Sequence, residues 1–260
     1  MVGMRRLWPD PASDELDDEA LFACYEPPDR AEPCLRVNFV TSLDGAVTVD
    51  GLSGGLSSPA DKRVFGVLRG ICDALLVAAG TVRREGYGAV KLDEARRARR
   101  VARGLPPVPP LVVVSSRLDL PPDHPVFADA PVRPMVLTHE GAPPDAVARL
   151  REVADVLTCG EKQVDLRAGL AELNARGYLQ VLCEGGPMLF GALTAADLVD
   201  ELCLTVAPLL AGAGPGRIVG GDLHHASRRL HLNHVLSEGD PLLLRYSRRA
   251  GIEPLSAASA

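Results

Sequence analysis

The sequence predicts an α/β fold in which helices cover a largely parallel sheet. Short apolar runs at residues 73–78, 111–114 and 202–206 have the composition of buried strands. Segments with a helical spacing of apolar residues, such as 59–71 and 164–176, lie between them. Strands that alternate with helices along a chain are typical of a parallel sheet. These observations together predict the fold class.

The predicted elements divide the chain into three parts. Residues 1–33 are acidic and rich in proline, and they are expected to form an N-terminal extension with one short helix at 14–24. The folded domain is assigned to residues 34–250 and a flexible tail to 251–260. The predicted strands are 35–41, 46–49, 73–78, 111–114, 135–138, 153–157, 178–183, 202–206, 230–235 and 241–247. The predicted helices of the domain are 59–71, 80–87, 164–176 and 187–193.

The helix at 59–71 has a clear start signal. Ser58 is a natural N-cap, Pro59 suits the first helical position, and Asp61 at the third can complete a capping box. Its apolar face is formed by Val64, Phe65, Val67, Leu68 and Ile71.

A strand, two glycines and a helix start follow one another at residues 178–190. Gly185 and Gly186 separate the apolar run from Pro187, which suits the first turn of a helix. Residues without side chains at a helix N-terminus let a phosphate approach the backbone N–H groups. Glu184 ends the strand and would face the cleft that such a sheet offers to a ligand. A tight turn that binds nothing is an equally good interpretation of this stretch alone.

Three predicted strand ends share features that suit a dinucleotide. Gly80-Thr81 and Gly185-Gly186 each open a helix, and Ser115-Ser116 follow a strand. An arginine nearby would meet a 2′-phosphate and favour NADP over NAD; the candidates are Arg83, Arg84 and Arg117. No G-x-G-x-x-G follows the first strand, which counts against the common Rossmann arrangement.

Composition limits the classes of function. A formal charge of −6 argues against general nucleic-acid binding. No apolar run approaches the roughly 20 residues that cross a bilayer, and the first 18 residues do not resemble a secretory signal. The six cysteines form no C-x-x-C pair, which favours buried, reduced thiols. We therefore expect a soluble cytoplasmic protein that has neither a membrane nor a nucleic acid as partner.

Two conspicuous clusters are interpreted as structural. The arginine-rich run at 92–104 contains no aromatic residue, so a solvated helix or a mobile loop is favoured over a nucleic-acid patch. A histidine cluster comprises His224, His225, His231 and His234. A three-residue step in a strand puts His231 and His234 on opposite faces, so no metal site is expected.

Several motifs stand in the order of a known family. They are residues 38–45, 57–61, 68–69, 73–82, 184–186, 198–202 and 207–210. The chain resembles the pyrimidine reductase family, the reductase domain of bacterial riboflavin biosynthesis (the RibD C-terminal domain), from about residue 35 to residue 246. The resemblance implies a dihydrofolate-reductase-like three-layer fold with a mostly parallel central sheet and an antiparallel C-terminal edge. It also implies a homodimer.

The resemblance implies roles for individual residues. The family uses NADPH to reduce the ribosyl group of a 5-amino-6-ribosylaminouracil 5′-phosphate to a ribityl chain. By this resemblance the cofactor would be held by Thr81, Val82, Ser115, Gly186, Pro187, Met188 and Leu189. Gly80, Arg83, Ser116 and Gly185 join the predicted cofactor site because they belong to the same strand ends and helix starts. Ser57, Arg69 and Glu184 would face the substrate, with Arg69 as the phosphate partner and Glu184 as the acceptor for a pyrimidine or pterin edge. Asn38, Asp61 and Glu184 would form the catalytic group.

The chain departs from the family pattern where cations are expected. Asn38 stands where the family often has lysine, and Leu92 stands near an expected arginine. Glu85-Gly86-Tyr87 replaces Asp-Asn-Pro or Asp-Asp-Pro. The zinc signature of the deaminase partner domain is absent, so a stand-alone reductase is expected.

A second resemblance concerns Asp61. Residues 59–61 resemble the segment that carries the catalytic acid of bacterial dihydrofolate reductases, and 113–116 resemble their cofactor-side strand end. Asp61 caps the helix, orients the substrate amine, or passes a proton to an imine nitrogen; a carboxyl group in an apolar cleft holds its proton more tightly, which suits the last role. The sequence thus predicts an NADPH-dependent reductase of a pyrimidine or pteridine. The alternatives are reduction of dihydrofolate and a cofactor-binding protein without significant catalysis.

Overall fold

The computed structural model describes residues 3–11, 14–212, 214, 216–221 and 227–248. Within them the strands are β1 (Arg5–Trp8), β2 (Cys34–Ser42), β3 (Ala74–Ala78), β4 (Leu111–Val114), β5 (Met135–Thr138), β6 (Asp155–Thr158), β7 (Gln180–Cys183), β8 (Glu201–Ala207), β9 (Leu230–Ser237) and β10 (Leu242–Arg248). The α-helices are α1 (Asp18–Tyr25), α2 (Pro59–Ile71), α3 (Ala79–Glu85), α4 (Glu94–Ala102), α5 (Pro125–Ala128), α6 (Pro144–Arg151), α7 (Leu166–Ala175) and α8 (Pro187–Ala195).

All ten strands form one sheet, in the order β1-β9-β10-β8-β2-β7-β3-β4-β5-β6. The seven strands from β8 to β6 in this order are parallel, whereas β10, β9 and β1 add an antiparallel edge. The expected mostly parallel sheet with an antiparallel C-terminal edge is confirmed. Because β8, β2, β7 and β3 are parallel neighbours, their carboxyl ends lie together at one edge of the sheet.

Helices cover both faces of the sheet. Apolar side chains of α1, α2, α5 and α6 form one core with the sheet, and α7 and α8 form the other. Helix α2 begins as the sequence predicts, because the Ser58 side chain accepts a hydrogen bond from the Asp61 N–H and Pro59 occupies the first turn. Burial raises the pKa of the Cys72 and Cys183 thiols to about 12, so both behave as small apolar core side chains.

Residues before 34 take part in the fold. Strand β1 pairs antiparallel with β9, and α1 packs on α2. Asp18 binds Arg63 at 2.9 Å and Glu26 binds Arg103 at 2.9 Å. The ring of Phe22 lies 4.7 Å from the guanidinium carbon of Arg103. The segment expected as an extension therefore supplies a strand and a helix to the domain surface.

One predicted strand is wrong, and three elements of the structure were not predicted. The strand predicted at 46–49 is wrong, because Val49 makes only an isolated bridge with Leu52. Both edges of β2 are already paired with β7 and β8, so no free edge remains for that segment. The sequence reading also missed β1 and the helices α5 and α6.

The arginine-rich run is a helix whose middle is tied to the protein. Arg100 is fully buried, and its guanidinium donates to the backbone carbonyls of Arg69, Cys72 and Pro106 at 2.7–2.9 Å. Two of these carbonyls lie at the C-terminal end of α2, where helical acceptors have no partner within the helix. Arg100 thus caps α2, so the interpretation as a wholly solvated segment is wrong at this residue.

No helix in the described parts of the chain has the length and apolar composition needed to cross a membrane. Two histidines of the cluster, His224 and His225, lie outside the described residues, as does the tail at 251–260. Of the other two, His231 is exposed and His234 is buried, as the three-residue step predicts.

A buried ionic cluster joins β2, β8 and β10 beneath α1. Glu201 accepts from Arg36 at 2.6 Å and from Arg245 at 2.5 Å. Burial alone would raise the pKa of Glu201, but the two arginines lower it. His234 lies beside this cluster with its ring edge-on to Tyr25 at 4.8 Å. Burial, together with the charges of Arg245 and Arg36, lowers the pKa of His234 to about 4.

His234 makes the stability of the fold depend on pH. The unfolded chain takes up this proton near pH 6.5, whereas the folded protein does so only near pH 4. The contribution of neutral His234 to the free energy of unfolding is therefore fully present above pH 6.5. It falls by roughly 3 kcal/mol as the pH falls from 6.5 through 4. Urea unfolding of His234→Gln over this range should show a shallower pH dependence than the wild type. His231→Gln, at an exposed site, should keep the wild-type slope; equal slopes in all three proteins would contradict the assignment.

Candidate active site

A cleft of about 300 Å³ opens at the carboxyl ends of the central parallel strands. It is lined by residues of β2, α2 and α3, by the chain after β7, and by the loop at residues 47–57. We call it the strand-end cleft. Ligands of open parallel sheets bind at this edge, so its position alone makes it the first candidate for a functional site.

The side chain of Glu184, the residue directly after β7, is only 1% exposed and is bound by side chains from two other parts of the chain. Arg69 of α2 donates to its two oxygens at 2.7 and 2.8 Å, and the Tyr87 hydroxyl, just after α3, donates at 2.9 Å. The guanidinium also lies 4.3 Å from the ring centre of Phe65. We call Glu184, Arg69 and Tyr87 the Glu184 network.

The Glu184 network changes the pKa of Arg69 and of Tyr87. Burial alone would lower the pKa of Arg69, but the charge and hydrogen bonds of Glu184 outweigh burial and raise it. Burial and the Glu184 charge both raise the pKa of Tyr87. Arg69 is therefore a charged guanidinium that binds Glu184, and Tyr87 is a neutral phenol beside them.

A second acid enters the strand-end cleft from the first turn of α2. Asp61 is buried, and its carboxylate accepts a hydrogen bond from the hydroxyl of Ser57. The predicted capping box is thus half formed: Ser58 caps the helix, while the Asp61 side chain binds Ser57. The carboxylate is thereby held at the wall of the strand-end cleft.

The double glycine permits two close approaches. Gly185 has φ +85°, and a Cβ there would lie 2.8 Å from the ring of Phe39. A Cβ on Gly186 would lie 2.5 Å from Oγ1 of Thr81. The peptide bond between the two glycines is cis. Gly186 and Thr81 therefore meet in the wall of the strand-end cleft, where a side chain on Gly186 would not fit.

The glycine-rich loop at 51–55 is tied to α3. The Glu85 carboxylate accepts from the Ser53 hydroxyl at 2.9 Å and from its N–H at 3.2 Å. Ser53, Gly54 and Glu85 all line the strand-end cleft. Glu85, which departs from the family pattern, thus holds this loop over one side of the cleft.

The structure brings about half of the predicted site residues to the strand-end cleft. Its lining includes Asn38, Ser57, Asp61, Thr81, Glu184, Gly186 and Pro187. Of the predicted cofactor residues outside the lining, Ser115 and Ser116 follow β4 at the same sheet edge, and Gly80 opens α3. Arg69 is engaged by Glu184, and its contacts differ from those expected of a phosphate partner.

The remaining predicted residues lie away from the strand-end cleft. The side chains of Val82 and Leu189 are buried in the core, and Met188 is 68% exposed. Arg83 forms an ion pair with Asp119. Gly185 is not part of the lining itself, but a Cβ there would meet the ring of Phe39, which lines the cleft.

Sequence reasoning missed several polar residues of the strand-end cleft. The cleft is also lined by Tyr87, Lys62 and Ser53. Arg84 lines it as well, although the sequence analysis proposed Arg84 only as a partner for a 2′-phosphate. The position of Lys62 beside Asp61 in the first turn of α2 was the available signal. Tyr87 follows the left-handed Gly86 that ends α3, a turn that carries no information about its distant partner.

The close contact between Gly186 and Thr81 can be tested with a matched pair of variants. Gly186→Ala should lower the free energy of unfolding by roughly 1–3 kcal/mol, because its methyl group overlaps Oγ1 of Thr81. Thr81→Ala in the same chain should restore most of that loss, since the Thr81 Cβ would lie 3.9 Å from the new methyl group. Denaturant unfolding of the two single variants and the double variant measures this coupling. Additive effects would show that the contact is not made.

Comparison with known proteins identifies the family. Residues 33–244 match the RibD C-terminal domain. A 2,5-diamino-6-ribosylamino-4(3H)-pyrimidinone 5′-phosphate reductase of Methanothermobacter thermautotrophicus is 31% identical over 83% of this chain and 98% of its own length. A reductase of the same name from Archaeoglobus fulgidus is 29% identical over 83% of this chain and 99% of its own length.

Solved structures with a similar fold include proteins described as reductases or as reductase-like, as the sequence relatives are. A pyrimidine reductase-like protein of Corynebacterium diphtheriae superposes with a TM-score of 0.79 at 26% identity, over 87% of this chain and 97% of that protein. A riboflavin biosynthesis reductase of Saccharomyces cerevisiae shares the fold, with a TM-score of 0.64 at 18% identity over 89% of this chain and 99% of its own. The chain therefore belongs to the RibD C-terminal domain family and is an oxidoreductase with a dihydrofolate-reductase-like fold.

Proposed function

We propose that the protein is an NADPH-dependent reductase of 5-amino-6-(5-phosphoribosylamino)uracil or a related pyrimidine 5′-phosphate of riboflavin biosynthesis. The observation that carries the proposal is that Asp61 of α2, Thr81 of α3, and Glu184 and Gly186 of the segment after β7 line one cleft. The named reductase activities of the relatives support the same reaction class. A related pyrimidine includes the 2,5-diamino compound that gives the archaeal reductases their name.

The residues around Gly186 fit a nicotinamide dinucleotide. A Cβ at Gly186 would fill space against Thr81, and α8 begins at Pro187 without a side-chain cap on its first N–H groups. Thr81, Gly186 and Pro187 would hold the part of the cofactor that enters the strand-end cleft, with Ser115 and Ser116 further along the sheet edge. When bound, the cofactor supplies the hydride. The preference for NADPH rests on the family resemblance and on Arg117, which follows β4.

Asp61 is the residue best placed to manage the proton. Reduction of a C=N bond adds a hydride to carbon and a proton to nitrogen. The Asp61 carboxyl lies at the wall of the strand-end cleft and is oriented by Ser57, so it can supply or relay that proton. Glu184 is oriented by Arg69 and Tyr87 and contributes a fixed carboxylate edge to the pyrimidine site. Asn38 lines the same cleft and can orient the substrate.

Dihydrofolate is the second candidate substrate. Asp61, the residue carried by the resemblance to dihydrofolate reductases, lines the strand-end cleft, and Arg69 is occupied by Glu184 rather than open to a sugar phosphate. Reduction of dihydrofolate would use the same proton donor at a different C=N bond.

Loss of NADPH absorbance with purified protein tests the proposal. Parallel assays would contain the ribosylaminouracil phosphate, its 2,5-diamino counterpart or dihydrofolate. We expect turnover of a pyrimidine phosphate with the highest kcat/KM, and a higher value with NADPH than with NADH. Turnover of dihydrofolate alone would replace the proposed substrate by the second candidate, and inactivity with all three would refute the proposed reaction.

Substitution of Asp61 tests the proton step. Asp61→Asn should lower kcat by about 100-fold or more, because proton transfer by a positioned side chain contributes roughly that factor. KM should change little. Ser58→Ala is the control, since it removes the cap of the same helix and should cost about 1 kcal/mol of stability without lowering kcat. An Asp61→Asn enzyme with wild-type kcat would eliminate this role.

The expected cytoplasmic homodimer is part of the same proposal and rests on the family resemblance. Exposed apolar side chains on the antiparallel edge, including Trp8 and Leu242, offer a surface for a second copy. The mass of the protein in solution tests the dimer: a monomer at micromolar concentration would contradict it.

A further inference from the structure

We infer that Lys62 and Arg84 bind the phosphate group of the substrate and thereby select phosphorylated pyrimidines; this inference rests on the proposed function. Lys62 lies in the first turn of α2 and Arg84 in α3, and both line the strand-end cleft. Both are exposed, and neither side chain has a hydrogen-bond or ion-pair partner among the described residues. We call them the cleft cations.

The acids beside the cleft cations are already engaged. Asp61 precedes Lys62, but its carboxylate binds the Ser57 hydroxyl. Glu85 follows Arg84, but its carboxylate binds Ser53 through three contacts of 2.9–3.2 Å. In both pairs a serine of the 47–57 loop holds the neighbouring carboxylate. The positive charges therefore stay free to meet an anion, although acids adjoin them in sequence.

Arg69, the phosphate partner that the family resemblance implies, already has a protein partner, unlike the cleft cations. Both Arg69 hydrogen bonds to side chains go to Glu184, which is 1% exposed. Turning Arg69 toward a phosphate would leave a buried carboxylate with only Tyr87 as partner, which is unfavourable. A phosphate in the strand-end cleft would instead meet cations that give up no protein contact.

The chemistry of the cleft cations suits a phosphate monoester. Such a group carries nearly two negative charges at neutral pH and accepts several hydrogen bonds. A guanidinium can donate two parallel hydrogen bonds to it, and an ammonium adds a compact charge. Binding the sugar phosphate in this way would anchor one end of the substrate in the strand-end cleft, which also contains Asp61 and Glu184.

The 2′-phosphate of the cofactor is the competing ligand for Arg84. Ser115, Ser116 and Arg117 follow β4 and are not part of the cleft lining, whereas Arg84 shares that lining with Lys62. Because Arg84 lines the cleft together with a second cation, Lys62, we assign it to the phosphate of the substrate and not to the 2′-phosphate of the cofactor. The two assignments differ in a measurable way, because only the cofactor assignment predicts a changed preference between NADPH and NADH.

Steady-state kinetics of Lys62→Met and Arg84→Met test the inference. The substrates are the pyrimidine 5′-phosphate and the same compound without its phosphate. We expect each variant to raise KM for the phosphorylated substrate by roughly 10- to 100-fold, the range of one charge-assisted hydrogen bond. KM for the dephosphorylated compound and the NADPH/NADH preference should change less than about twofold. Lys91→Met and Arg97→Met are matched controls, because both residues are exposed and lie outside the cleft lining.

Ribose 5-phosphate binding, measured by calorimetry on the same proteins, keeps the inference separate from the proposed function. If the wild type turns over no pyrimidine, the proposed function fails, yet loss of ribose 5-phosphate affinity in the variants but not in the controls still supports the phosphate site. Equal KM changes for both substrates, a changed NADPH/NADH preference alone, or ribose 5-phosphate affinity equal to wild type in both variants would overturn the inference.

Discussion

The arrangement of the site depends on the buried carboxylate at the end of β7. Glu184 needs partners because a charged group with almost no exposure to water is costly to bury alone. Arg69 supplies two hydrogen bonds from α2, and Tyr87 supplies a third from the chain after α3. One carboxylate thus links α2 and the chain after α3 to the end of β7.

Each of these helices then presents one acid and one cation to the strand-end cleft. Asp61 and Lys62 come from the first turn of α2, and Arg84 and Glu85 from α3. Because the loop serines hold the two acids, the cleft combines fixed carboxylates with free cations. This arrangement suits a reaction that needs a positioned proton donor for one end of a substrate and an anion site for the other. Gly186, which allows a close approach to Thr81, lies in the wall of the same cleft.

Local signals in the sequence were sufficient for much of this structure. Ser58 and Pro59 predict the start of α2 because capping involves only neighbouring residues. The apolar run and Gly-Gly-Pro predict β7 and the start of α8 in the same way. The roles of Arg69 and Arg100 could not be predicted, because their partners lie far away in sequence: Glu184 for one, the carbonyl groups at the end of α2 for the other. The strand expected at 46–49 does not form. Both edges of β2 are paired with β7 and β8, and this long-range pairing cannot be predicted from residues 46–49 alone.

A double-mutant cycle on Arg69 and Glu184 tests the central claim that these two side chains belong to each other. Unfolding free energies of Arg69→Met, Glu184→Gln and the double variant would be measured without ligands. The account predicts that each single variant is destabilised by about 3 kcal/mol or more, and that the double variant loses clearly less than the sum. Additive losses, with Arg69→Met acting mainly by raising KM for the phosphorylated substrate, would show that Arg69 serves the phosphate and would contradict the account.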